Sequence, residues 1–81
     1  MIRVVLVGRP NGLWQLYRQP QWMAEVRRDP TAAGLPRRHF DVPEAAYPLV
    51  LKAWDEAGAG AGLEAALGLL GRHRAVEVRQ P

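Results

Sequence analysis

Residues 2–18 constrain this chain more than any other stretch, because they spell a strand, a tight turn and a second strand in one continuous run. Ile2-Arg3-Val4-Val5-Leu6-Val7 is almost unbroken β-branched and aliphatic sequence. Arg9-Pro10-Asn11-Gly12 follows, and Leu13-Trp14-Gln15-Leu16-Tyr17-Arg18 resumes the extended pattern. Pro10 presets φ for the first central position of a type I turn, Asn11 tolerates the second, and Gly12 supplies the positive φ that a following bulge needs. The turn fixes the register: with Arg9 facing Leu13, Val7 faces Gln15, Leu6 faces Leu16, Val5 faces Tyr17 and Val4 faces Arg18. The first strand is apolar on both faces and the second is mixed, which predicts a covered first strand and a second strand nearer an edge.

The rest of the chain supplies elements to pack on this hairpin. Pro20–Arg28 reads as a short helix with Trp22, Met23 and Val26 at helical spacing, ended by Asp29-Pro30. Thr31–Pro36 reads as a connecting loop and the expected site of proteolysis, because Gly34 and Pro36 break both periodicities. Arg37–Val42 fits a short strand with Phe40 and Val42 inward, or an extended lead into the next helix.

Pro43–Ala57 carries the strongest helical pattern, a stripe of Tyr47, Leu51 and Trp54 with Val50 and Ala57 beside it. Asp41 is the expected N-cap, and Pro48 predicts a kink or a restart. The glycine-rich link Gly58–Gly62 reads as a hinge into a third helix over Leu63–Gly71, with Leu63, Ala66, Leu67 and Leu70 inward and the two helices antiparallel neighbours. Ala75–Arg79 alternates at period two and is the expected partner of the first strand; Gln80-Pro81 is expected to fray.

The fold class is therefore α+β. One small domain over residues 1–81 combines the N-terminal hairpin and the C-terminal strand in a three- to four-stranded sheet, with two to three helices packed mainly on one face. No internal repeat or second domain is evident. The longest apolar runs fall short of the roughly 20 residues that span a bilayer, and the first residues lack the order of a secretory signal, so a cytoplasmic location is the default expectation and no membrane partner is expected.

Residue types narrow the chemistry. The chain has no Ser and no Cys, and Thr31 is its one small hydroxyl, so serine- or cysteine-type covalent catalysis is excluded. His39 and His73 are the only imidazoles, without a second His at helical spacing or a carboxylate cluster, so no metal site and no cofactor is expected. With Arg37, Arg38 or Arg72 they suit a metal-independent ribonuclease by residue type, but His39 on a solvated strand edge and His73 at a helix carboxyl end are the plainer readings. Gly58-x-Gly60-x-Gly62 lacks the preceding strand, the Lys and the hydroxyl of a phosphate loop. The inventory leans against an enzyme.

Six aromatic side chains in 81 residues are the more informative feature and suggest binding surfaces; a net charge of +3 permits polyanion binding, while ten Arg against one Lys most simply reflects a GC-rich coding sequence. Trp14, Tyr17, Trp22 and Trp54 are the candidate interaction anchors of a noncatalytic accessory or regulatory protein acting through protein–protein association. A homodimer is its simplest form and a larger protein partner the next. The alternative is an RNA- or DNA-binding module using Arg9, Arg18, Arg27, Arg28, Arg37, Arg38 and Phe40, which requires these side chains to meet on one face.

Overall fold

The computed structural model describes residues 1–57 and 61–79. The hairpin forms as its residues dictate: β1 (Ile2–Gly8) and β2 (Trp14–Arg18) pair antiparallel with Val7 opposite Gln15, Leu6 opposite Leu16, Val5 opposite Tyr17 and Val4 opposite Arg18. The turn closes through Gly12 N–H to the Arg9 carbonyl at 3.0 Å and Arg9 N–H to the Leu13 carbonyl at 2.9 Å, with Gly12 at φ 85°. Asn11 Oδ1 accepts from Leu13 N–H at 3.0 Å, so its side chain braces the bulge.

Helix α1 (Gln19–Arg28) starts directly from β2, and Gln21 Oε1 accepts from Arg18 N–H at 3.1 Å to satisfy the turn into it. The following segment, expected as an open loop, is a 3-10 helix over Pro30–Gly34. Asp29 accounts for this: its carboxylate accepts from Thr31 N–H at 3.2 Å and from the Thr31 hydroxyl at 2.5 Å, while Ala32 is pressed into the core. The strand β3 (Arg37–Val42) follows, and then α2 (Tyr47–Glu56), α3 (Leu63–Arg72) and β4 (Val76–Val78).

The sheet is antiparallel throughout, in the order β2-β1-β3-β4. The chain is therefore α+β, with β2 at an edge. One expectation is corrected: the strand beside β1 is β3, and the C-terminal strand β4 pairs with β3 instead. Size decides between them. β3 offers Phe40 and Val42 to one core and His39 to the opposite face over six residues, whereas β4 has three residues and leaves Val76 60% exposed. The strand with more apolar surface takes the covered position.

Alternation along β1 feeds two cores. Val4 and Leu6 join Phe40, Val42, Val50, Trp54, Ala66, Leu69 and Leu70 beneath α2 and α3, while Val5 and Val7 join Trp22 and Ala32 beneath α1 and the 3-10 helix. Two of the three helices thus share one face. Pro48 does force a restart: residues 43–46 form a turn and α2 begins at Tyr47, with proline in the first turn, where its missing N–H is harmless. Asp41 caps nothing, because it lies in β3 and pairs with Arg3 at 2.6 Å. The buried stripe of α2 is Val50 and Trp54, at i, i+4 spacing, and Leu51, expected in it, is 38% exposed. The hinge reading for Gly58–Gly60 and the fraying of Gln80-Pro81 lie outside the described residues.

Candidate functional site

The proposed aromatic anchors separate into buried and accessible ones. Trp22 on α1 is 1% exposed and Trp54 on α2 is 8% exposed, so both are spent on the protomer's own cores, one on each side of the sheet. An apolar stripe at helical spacing fills the core before it serves a surface. Trp14 is half-buried, and its ring lies over Gly8, where a Cβ would meet ring atoms at 2.9–3.0 Å. Glycine in β1 is thereby explained as the space that the Trp14 ring occupies. Tyr17 stacks edge-on against Trp22 at 5.4 Å between centroids.

Around Tyr17 a polar network ties the hairpin to α1. The Tyr17 hydroxyl donates to Glu25 Oε1 at 2.8 Å, Arg9 donates to Glu25 Oε2 at 2.9 Å and to Gln15 Oε1 at 2.5 Å, and Arg9 also reaches the Tyr17 oxygen. The Arg9 guanidinium holds the Glu25 carboxyl below its usual range, while burial and the bond to Glu25 push the Tyr17 phenol up. Such a network fixes the angle of α1 and leaves Arg9 no free charge to offer a phosphate.

The arginines and Phe40 do not converge on one face. Arg18 and Arg38 lie on the α2–α3 side and Arg9 and Arg37 on the α1 side, as the register requires. Phe40 is 5% exposed inside the α2–α3 core. Arg38 is held by Glu77 at 2.6 and 2.8 Å, Arg37 lies over the Trp22 ring and Arg18 over the Tyr47 ring. Arg27 and Arg28 are exposed at the end of α1, where cations complement the helix dipole.

The two histidines are on different elements: His39 is in a strand of the sheet, on its α1 face, and His73 is at the end of α3, which packs on the other face. His73 caps the carboxyl end of α3, as the sequence suggests. His39 is not on a solvated edge: it lies in β3 between Val5 and Val78, is 8% exposed, and its Nδ1 has no hydrogen-bond partner among the described residues. Burial first, then the neighbouring Arg37 and Arg3, lowers its pKa, so the imidazole is neutral at pH 7.

One surface remains open on the α1 side of the sheet, and residue-by-residue inspection of the sequence missed it. The row Arg3, Asp41, Val76 and the end of the row Val5, His39, Val78 lie toward β4, while α1 packs over β1 and β2. Val76 is 60% exposed, Val78 is half-buried, and the Arg3–Asp41 pair is about a third exposed. The signal for it is the exposed valine of a C-terminal strand too short to be covered, which becomes readable once that strand is known to sit at an edge. Among the described residues no cavity opens, no three metal-ligating side chains cluster, and no helix is long and apolar enough to cross a membrane. No protein family, curated protein or solved structure matches the chain.

Proposed function

We propose that this chain is a noncatalytic accessory or regulatory module that acts through protein–protein association, using the β3–β4 side of its sheet. The observation that carries the reading is β4 itself. Among the described residues no strand pairs with its outer side, and it shows water a 60% exposed valine beside a second, half-buried one. A strand edge with apolar side chains is a template for another chain, and covering it removes both unpaired backbone groups and apolar surface from water.

Of the sequence-derived anchors, Trp14 and Tyr17 keep some exposure at the far edge, whereas Trp22 and Trp54 are buried in the two cores. The nucleic-acid alternative retains only the exposed Arg18, Arg27, Arg28 and Arg37, none of which has a carboxylate in ion-pair range among the described residues. Size-exclusion chromatography with light scattering at low and high salt, with and without a mixed RNA pool, tests the choice. A salt-resistant assembly indifferent to RNA supports association. A monomer at every concentration that shifts with RNA only at low salt overturns it, because phosphate contacts weaken steeply with salt.

A further inference from the structure

We propose that the partner is a second copy of this chain, joined to the first by antiparallel pairing of the two β4 strands about Val78. This rests on the association reading and adds the occupant and the register.

The two edges of the sheet differ. At β2, Trp14 exchanges both backbone bonds with Ala61, at 2.8 and 3.2 Å, and Arg18 N–H is taken by Gln21 Oε1. That edge is closed at both ends. At β4 the ladder sets which groups remain. Trp14 turns its backbone groups away from β1, so Gln15 and Tyr17 bond to β1; Val4 and Leu6 then bond to β3, and His39 and Asp41 bond to Val78 and Val76. By the same alternation Glu77 directs its N–H and C=O outward, and extending β4 (Val76–Val78) by one residue on pairing turns those of Arg79 outward as well.

Of the two-fold registers centred within β4, on residues 76, 77 and 78, two are poor. Pairing about Val76 needs the Ala75 N–H, which already bonds to the Leu70 carbonyl at 3.0 Å. Pairing about Glu77 sets two carboxylates directly opposite each other, which is destabilising. Pairing about Val78 places Glu77 of each copy opposite Arg79 of the other, so the two-fold axis generates two ion pairs on the α2–α3 side and a Val78–Val78 contact on the other. Arg38 already holds Glu77 at 2.6 and 2.8 Å, and a carboxylate has acceptor sites left for a second guanidinium. The edge is thus complementary to itself in charge, in backbone donors and acceptors, and in the half-buried Val78 that meets its own copy. Its shortness makes the dimer concentration-dependent.

The chain contains no cysteine, so a single introduced thiol reports self-contact alone. Residues opposite each other in a non-hydrogen-bonded antiparallel pair have Cα atoms about 4.5 Å apart, within disulfide range. Val78→Cys is therefore expected to give a disulfide-linked dimer under mild oxidation and Val76→Cys is not, both retaining the parent's thermal melt under reducing conditions. Arg79→Glu, at an exposed position outside the cores, is expected to weaken dimerisation about tenfold by light scattering. A salt-resistant dimer in which Val78→Cys fails to cross-link, cross-links no better than Val76→Cys, or in which Arg79→Glu changes nothing, overturns this pairing and leaves the association reading standing. A parent chain that stays monomeric at every concentration overturns both.

Discussion

Burying His39 makes the stability of the sheet depend on pH. The imidazole lies between Val5 and Val78, flanked by Arg37 and Arg3, and its pKa in the folded chain is lowered from 6.5. Above pH 6.5 it is neutral in both states and its contribution is full. As pH falls below 6.5 the unfolded chain takes up a proton that the folded chain refuses, so stability declines until the folded pKa is passed. His39→Leu is expected to remove this part of the acid sensitivity, measured as urea midpoints on either side of pH 6.5, and to hold the parent's stability at neutral pH because a buried, unpartnered nitrogen goes with it. Arg74 offers a second test. It sits at φ 63° just past His73, the residue that caps α3, where Ala75 N–H reaches back to the Leu70 carbonyl, a helix ending in which glycine is the unstrained residue. Arg74→Gly should raise stability by about 1 kcal/mol in chemical denaturation, since the left-handed conformation costs a side-chain-bearing residue about that much.

At the scale of elements, how much could be read ahead depended on whether the information was local. The β1–β2 register follows from four turn residues, and the structure keeps it in every pair. Gly12 at φ 85° is the position on which it turns, and with open space around its Cα the cost of a side chain there is conformational alone. Gly12→Ala should destabilise the chain by about 1 kcal/mol without altering the core. The restart of the helix at Tyr47, with Pro48 in its first turn, was equally local. The place of β4 was not, because alternation along Ala75–Arg79 states that one face is apolar and says nothing about which neighbour it meets. The face chosen by α1 was hidden for a similar reason: Trp22 marks an apolar stripe, but only the doubly apolar β1 reveals that two cores exist for helices to fill. The open β3–β4 surface is a product of both non-local facts, so no single motif announced it.

For the whole molecule, β1 is the shared wall of the two cores. Val4, Val5, Leu6 and Val7 are all fully buried, alternating between the α2–α3 side and the α1 side, so neither core is closed without the strand that also closes the other. An element that strips away from one face exposes valines of the central strand, and the loss is felt on both sides of the sheet. Unfolding is therefore expected to be a single transition even though the apolar side chains form two separate clusters. Trp22→Ala tests this directly. It empties the α1-side core of its largest side chain and should cost about 3–5 kcal/mol, a large share of what a domain of this size has. With Trp22 gone, fluorescence reports mainly on Trp54 in the opposite core and on Trp14 at its margin. The prediction is that this signal and far-UV circular dichroism move together to the same lower denaturant midpoint. If the two cores were independent, the Trp54 signal would keep the parent's midpoint while the dichroism split into two steps. Coincidence places the cooperativity of the domain in β1, and with it the rigidity that holds β3 and β4 in the arrangement the proposed pairing requires.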